Sequence, residues 1–157
     1  MNAYDMILNQ QRAFNFKNFV HIGDATPVLS EVATNGIFSQ CFQLGSSEAI
    51  DPNVRERMTV WNLSWDWDNH LDLALGRIAD PSAVWINTLS VVRWLRRQVT
   101  DLVACDMEAL VVYIDNASML ESSLELPCLA ELTYIAEAAS CYHEVVDDVL
   151  VVKRGLL

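Results

Sequence analysis

Glycine is scarce in this chain, 5 residues in 157, and no glycine-rich run occurs. That leaves little material for a phosphate cradle, and neither a P-loop nor a dinucleotide fingerprint is present. No Gly-x-Ser-x-Gly elbow occurs either. Basic residues are also few: 10 Lys and Arg stand against 21 Asp and Glu, for a formal net charge of −11 and a pI near 4.4. Duplex nucleic acid is bound by neutralising phosphates, so direct nucleic-acid binding is disfavoured, and anionic membranes are disfavoured on the same ground. Long apolar runs are missing; the longest, residues 109–114 and 149–152, fall far short of a bilayer's thickness. The start, Met-Asn-Ala-Tyr-Asp, lacks the basic and apolar regions of a signal peptide, so a cytoplasmic protein is expected. The four cysteines, Cys41, Cys105, Cys128 and Cys141, form no C-x-x-C pair and read as reduced, buried small side chains.

What is present is hydrophobicity, 52% of the chain, enough for one domain over residues 1–157 with a core that needs no disulfide or metal. Residues 1–12 read as a short helix or a loose arm. Phe14, Phe16, Val20 and Ile22 share one parity and predict a strand, ended by Gly23-Asp24-Ala25. Thr26-Pro27 then offers an N-cap and a first-turn proline, and Asn35-Gly36 a stop, framing a helix of about two turns. A second strand covers residues 37–44. Residues 45–57 read as a hairpin connection.

Trp61, Trp65 and Trp67 alternate along a third strand. Trp85, Leu89, Val92, Leu95, Val99 and Leu102 recur at three- and four-residue spacing, which predicts a long helix over residues 81–103, capped by Asp80-Pro81. The valine-rich run 109–114 reads as a buried strand. A helix around Leu129, Leu132 and Ile135 and a last extended segment, 141–152, complete the chain.

This order spells the split βαβ arrangement of ferredoxin-like folds. The expectation is an α+β domain with an antiparallel sheet of four or five strands, helices on one face, and a C-terminal helix-strand extension. A sheet covered on one face only predicts a homodimer or a tight partner complex over the other.

The layout resembles a group of small bacterial proteins classed as a domain of unknown function. The matching features are Gly45, Trp61 with Ser64, the helix after Pro81, the strand 109–114 and the helix from Leu129 to Ala136. The resemblance implies an immunity-type, toxin-neutralising protein with no catalytic residue.

No cofactor and no metal site is expected. The segment Asp66-Trp67-Asp68-Asn69-His70-Leu71-Asp72 looks like half a calcium loop, but Leu71 and Arg77 stand where glycine and glutamate are needed. Cys141 and His143 share a strand face without a second ligand pair. The functional expectation is therefore a non-enzymatic, acidic inhibitor of the immunity or antitoxin type, bound to a basic protein partner. Its contact surface would be Asp66, Trp67, Asp68, His70 and Asp72, with Glu144, Asp147 and Asp148 as the secondary candidate. The alternatives are a phage or viral anti-defence protein, acting by protein binding or nucleic-acid mimicry, and a small enzyme whose site is not visible in sequence.

Overall fold

The computed structural model describes residues 2–61, 75–76, 78, 81–121 and 127–155. The elements run α1 (Ala3–Ala13), β1 (Asn18–Ile22), α2 (Pro27–Asn35), β2 (Gln40–Leu44), α3 (Pro52–Arg55), β3 (Thr59–Trp61), β4 (Ser82–Ile86) and α4 (Thr88–Val91). A 3-10 turn (Val92–Trp94) leads into α5 (Leu95–Ala104), followed by β5 (Leu110–Ile114), α6 (Ala117–Glu121), α7 (Leu129–Ala138), β6 (Tyr142–Val146) and β7 (Val149–Arg154).

The strands form a seven-stranded sheet in the order β3-β2-β1-β4-β5-β7-β6. From β3 to β5 all neighbours are parallel; β7 pairs antiparallel with both β5 and β6. The ferredoxin-like expectation is overturned on three counts. The sheet is mostly parallel, it has more strands than expected, and helices cover both its faces. On one face α1 and α2 pack through Met6, Ile7, Leu29 and Val32 against Phe19, Trp85 and Val111. On the other, α5 and α7 pack through Leu95, Val99, Leu102 and Leu132 against Val20, Val84, Val112 and Leu150. With both faces covered, the argument for a homodimer from a bare sheet face falls away.

The long helix expected over residues 81–103 is a strand followed by helices. β4, Ser-Ala-Val-Trp-Ile, is buried at every position, because a central parallel strand faces packed helices on both sides. Such a strand shows no alternation, and Trp85 stands by coincidence at a helical spacing from Leu95. Pro81 caps nothing; its carbonyl accepts the backbone N–H groups of Lys17 and Asn18 at the start of β1. The segment 45–57 is likewise no hairpin connection but a crossover carrying α3 to a parallel β3.

Local signals elsewhere hold. α2 begins with Pro27 at its first position and ends on Gly36 in the left-handed region, φ 60°. Of the two readings of the N-terminal stretch, the helix is the one observed, as α1, and Asn2 caps it by accepting the Asp5 amide at 2.8 Å. The last segment folds as the β6–β7 hairpin, with Asp147 and Asp148 at φ 47° and 65° in a two-residue turn. Among the described residues no helix is long and apolar enough to cross a membrane.

Candidate ligand site at the carboxyl edge of the sheet

The chain leaves β1 toward β2 on one side and returns through β4 toward β5 on the other, so the strand order reverses between the parallel neighbours β1 and β4. In open α/β sheets, ligands bind outside the carboxyl ends of the strands at such a reversal. Here each of the three central strands ends in polar residues: Gly23-Asp24 after β1, Asn87-Thr88 after β4, and Asp115-Asn116 after β5.

Register places Gln43, His21, Trp85, Tyr113, Val151 and Glu144 in one row across β2, β1, β4, β5, β7 and β6. The row belongs to the face covered by α1 and α2. Its first two members are fully buried polar side chains. Gln43 donates through Nε2 to the carbonyls of Gly23 (2.8 Å) and Ser46 (2.9 Å), which leaves its Oε1 as acceptor for His21 Nδ1 at 2.9 Å. His21 therefore carries its proton on Nδ1. Its Nε2 accepts from the Thr26 hydroxyl at 2.7 Å. Burial pushes the imidazole pKa down to about 4, against the smaller upward pull of Gln43, so the ring is neutral at physiological pH. The network ties β1, β2 and the start of α2 into one rigid floor.

Asp115 organises the other side. Its Oδ1 accepts the Thr88 amide at 2.8 Å and its Oδ2 the Trp85 indole N–H at 3.2 Å, while its carbonyl accepts the Thr88 hydroxyl at 2.7 Å. Burial holds this carboxyl above the ordinary Asp range, opposed by the donors at Thr88, Trp85 and Asn116. Between the two groups lies a cavity of about 360 Å³, lined by Tyr4 from α1, by Thr26, Pro27 and Glu31 at the start of α2, and by Trp85 and Asp115. A partly desolvated carboxyl, a hydroxyl and an indole around a cavity of this size suit a small polar molecule.

The turn after β1 is latched to the segment after β4. Ser90 Oγ accepts the Asp24 amide at 2.9 Å and donates to the Asn87 carbonyl at 3.1 Å, and Asn87 Nδ2 donates to the Asp24 carbonyl at 2.9 Å. A Cβ on Gly23 would lie 2.3 Å from Ser90 Oγ, and one on Gly45 2.6 Å from the Gly23 carbonyl oxygen. Both glycines are thus required by the protein's own close packing.

The sequence-predicted contact residues Asp66, Trp67, Asp68, His70 and Asp72 lie outside the described residues. Of the secondary group, Glu144 lies 3.8 Å from Lys153 on β7, and Asp148 accepts the Ser118 amide at 2.6 Å, holding α6 against the hairpin turn. His143 pairs with Glu137 at 2.8 Å, while Cys141 is buried. Among the described residues no cluster of His, Cys, Asp and Glu could hold a metal ion. Sequence reasoning missed His21, Gln43, Asn87, Ser90 and Asp115. The available signal was the polar pair closing each apolar run.

No family model matches the chain, and no curated protein does. Solved structures do. The MycE methyltransferase of the mycinamycin pathway, in complex with Mg, SAH and mycinamycin VI, superposes with a TM-score of 0.70 at 13% identity, over 96% of this chain and 48% of that one. An O-methyltransferase from Bacillus cereus in complex with SAH gives 0.65 at 13% identity, over 96% and 79%. The methyltransferase domain of bacterial CtHen1 gives 0.61 at 13%, over 98% and 97%. The chain spans about half the length of MycE. What it shares with these proteins is a Rossmann-like fold. The expectation of a non-enzymatic immunity-type inhibitor, with its ferredoxin-like frame, is corrected by this likeness: the frame is one on which solved enzymes are built.

Proposed function

We propose that the chain is an enzyme of the methyl-transfer class, acting on a small polar molecule held between Tyr4, Thr26, Trp85 and Asp115. One observation carries the reading. The fold that the chain shares with the solved methyltransferases over nearly its whole length, with its own strand order reversing between β1 and β4, brings buried polar groups to the carboxyl edge, where open α/β sheets bind ligands. Transfer of a methyl group to a hydroxyl or amine releases a proton. Asp115 lines the cavity, and burial, by raising its carboxyl above the ordinary Asp range, makes it a stronger base than a solvated aspartate and so a candidate to accept that proton. Trp85 and Thr88 fix that carboxyl's orientation through their hydrogen bonds.

The fold implies an adenosyl methyl donor, and the described residues do not fit it as they stand. Ser90 fills the open side of Gly23 and takes the Asp24 amide that would face a ligand. The end of β2, Leu44-Gly45-Ser46-Ser47, carries no carboxylate to grip a ribose diol. No step is therefore derived through the donor.

The test is calorimetric titration of S-adenosylhomocysteine into the wild-type protein and Ser90→Ala. Removing one hydroxyl frees both the space over Gly23 and the Asp24 donor, so the variant is expected to bind about tenfold more tightly, the scale of one recovered hydrogen bond. Absence of binding to either protein at millimolar ligand overturns the methyl-transfer reading.

A further inference from the structure

Beyond the carboxyl-edge cavity, the same sheet face holds a second polar recess that the proposed reaction does not use. Tyr113 stacks on Trp85 with ring centroids 5.6 Å apart and is only 1% exposed. Its hydroxyl has no hydrogen-bond partner among the described residues. Buried hydroxyls are nearly always paired, so an orphan on a residue that lines a cavity marks a place where something else supplies the partner. The cavity it borders, about 220 Å³, lies between α1 and the β6–β7 hairpin and is lined by Asn9, Gln10, Tyr113, Glu144, Val151 and Lys153. Its volume is below that of sites for drug-sized molecules and suits a small metabolite.

The charges define the ligand. Lys153 lies 3.8 Å from Glu144 and 5.9 Å from the centre of the Tyr142 ring, so one cation and one anion stand at the same mouth. A simple anion would meet the Glu144 carboxylate, and a simple cation the Lys153 ammonium. A molecule carrying both charges satisfies both, with its carboxylate toward Lys153 and the Tyr113 hydroxyl and its ammonium toward Glu144. The side-chain amide of half-buried Gln10 adds a donor and an acceptor.

We propose that this recess is a binding site for a small zwitterion of the free α-amino acid class, independent of the reaction at the carboxyl edge. The test screens the standard L-amino acids singly, at millimolar concentration, for a rise in melting temperature of the purified chain, followed by calorimetry on the strongest. At least one is expected to bind, while its deaminated acid and its decarboxylated amine bind at least tenfold more weakly. Tyr113→Phe and Lys153→Met should each weaken binding tenfold or more. Should Tyr113→Phe fail to fold, Lys153→Met alone decides. A cavity that holds only water, seen as no shift with any amino acid, overturns the proposal. Binding unchanged in the folded variants, or equal binding of the acid or amine, overturns it too.

Discussion

At the scale of single residues, the buried His21 makes the clearest claim about pH. Its folded pKa, about 4, lies below the ordinary 6.5, so between these values the unfolded chain binds a proton that the folded chain refuses. Stability is fully present above pH 6.5 and falls as the pH drops through that window, by up to about 3 kcal/mol for this one group. Asp115 acts in the opposite sense, since its raised carboxyl takes up a proton more readily when folded. Urea denaturation at pH 7.0, 5.5 and 4.5 should show the midpoint falling, and His21→Gln should flatten that slope. An unchanged slope in the variant would mean that another group carries it. Gly45 gives a second residue-scale prediction. At φ 146° and with the Gly23 carbonyl at 2.6 Å from any added Cβ, Gly45→Ala meets both strain and a backbone clash. A loss of more than about 2 kcal/mol is expected, read as a shift in the urea midpoint.

At the scale of elements, the sequence was legible where local chemistry decides the conformation. Thr26-Pro27 and Asn35-Gly36 bracket α2 because an N-cap site, a first-turn proline and a left-handed glycine act within a few residues. It was illegible where burial from two sides erases the pattern. β4 is buried at all positions and shows no period of its own, so Trp85 was drawn into the helical spacing of α5. Strand direction is equally silent in a sequence: nothing in residues 45–57 tells a crossover from a hairpin. The site was missed for a related reason. His21 and Gln43 are twenty-two residues apart and become partners only through parallel register. The Asp147-Asp148 turn, by contrast, offers an element-scale test. Asp148→Gly relieves a left-handed conformation at φ 65° but removes the carboxylate that accepts the Ser118 amide. Because aspartate tolerates that conformation well, the lost charge-assisted bond should win, for a net loss of about 1 kcal/mol in urea denaturation.

At the scale of the whole molecule, the chain runs one way through β1, β2 and β3 and the other through β4 and β5, and only the last hairpin closes the second side. β7 is inserted between β5 and β6, so it pairs with β5 along Leu110–Ile114 and places Leu150 and Val152 in one core layer and Val149 and Val151 in the other. The hairpin thus completes both layers at once. Removing residues 141–157 would leave β5 as an open, apolar parallel edge, with every one of its side chains deprived of cover on that side. Such an edge invites pairing between chains, and the net charge changes only from −11 to −10, because the deleted segment carries Lys153 and Arg154 against Glu144, Asp147 and Asp148. Repulsion is therefore almost unchanged while the protection of the edge is lost. The truncated chain is expected to retain helical circular dichroism, to lose a cooperative melting transition and to form oligomers in light scattering. A truncated protein that melts cooperatively as a monomer would show that the five parallel strands stand alone, and that the hairpin is an addition to the fold and not its closure.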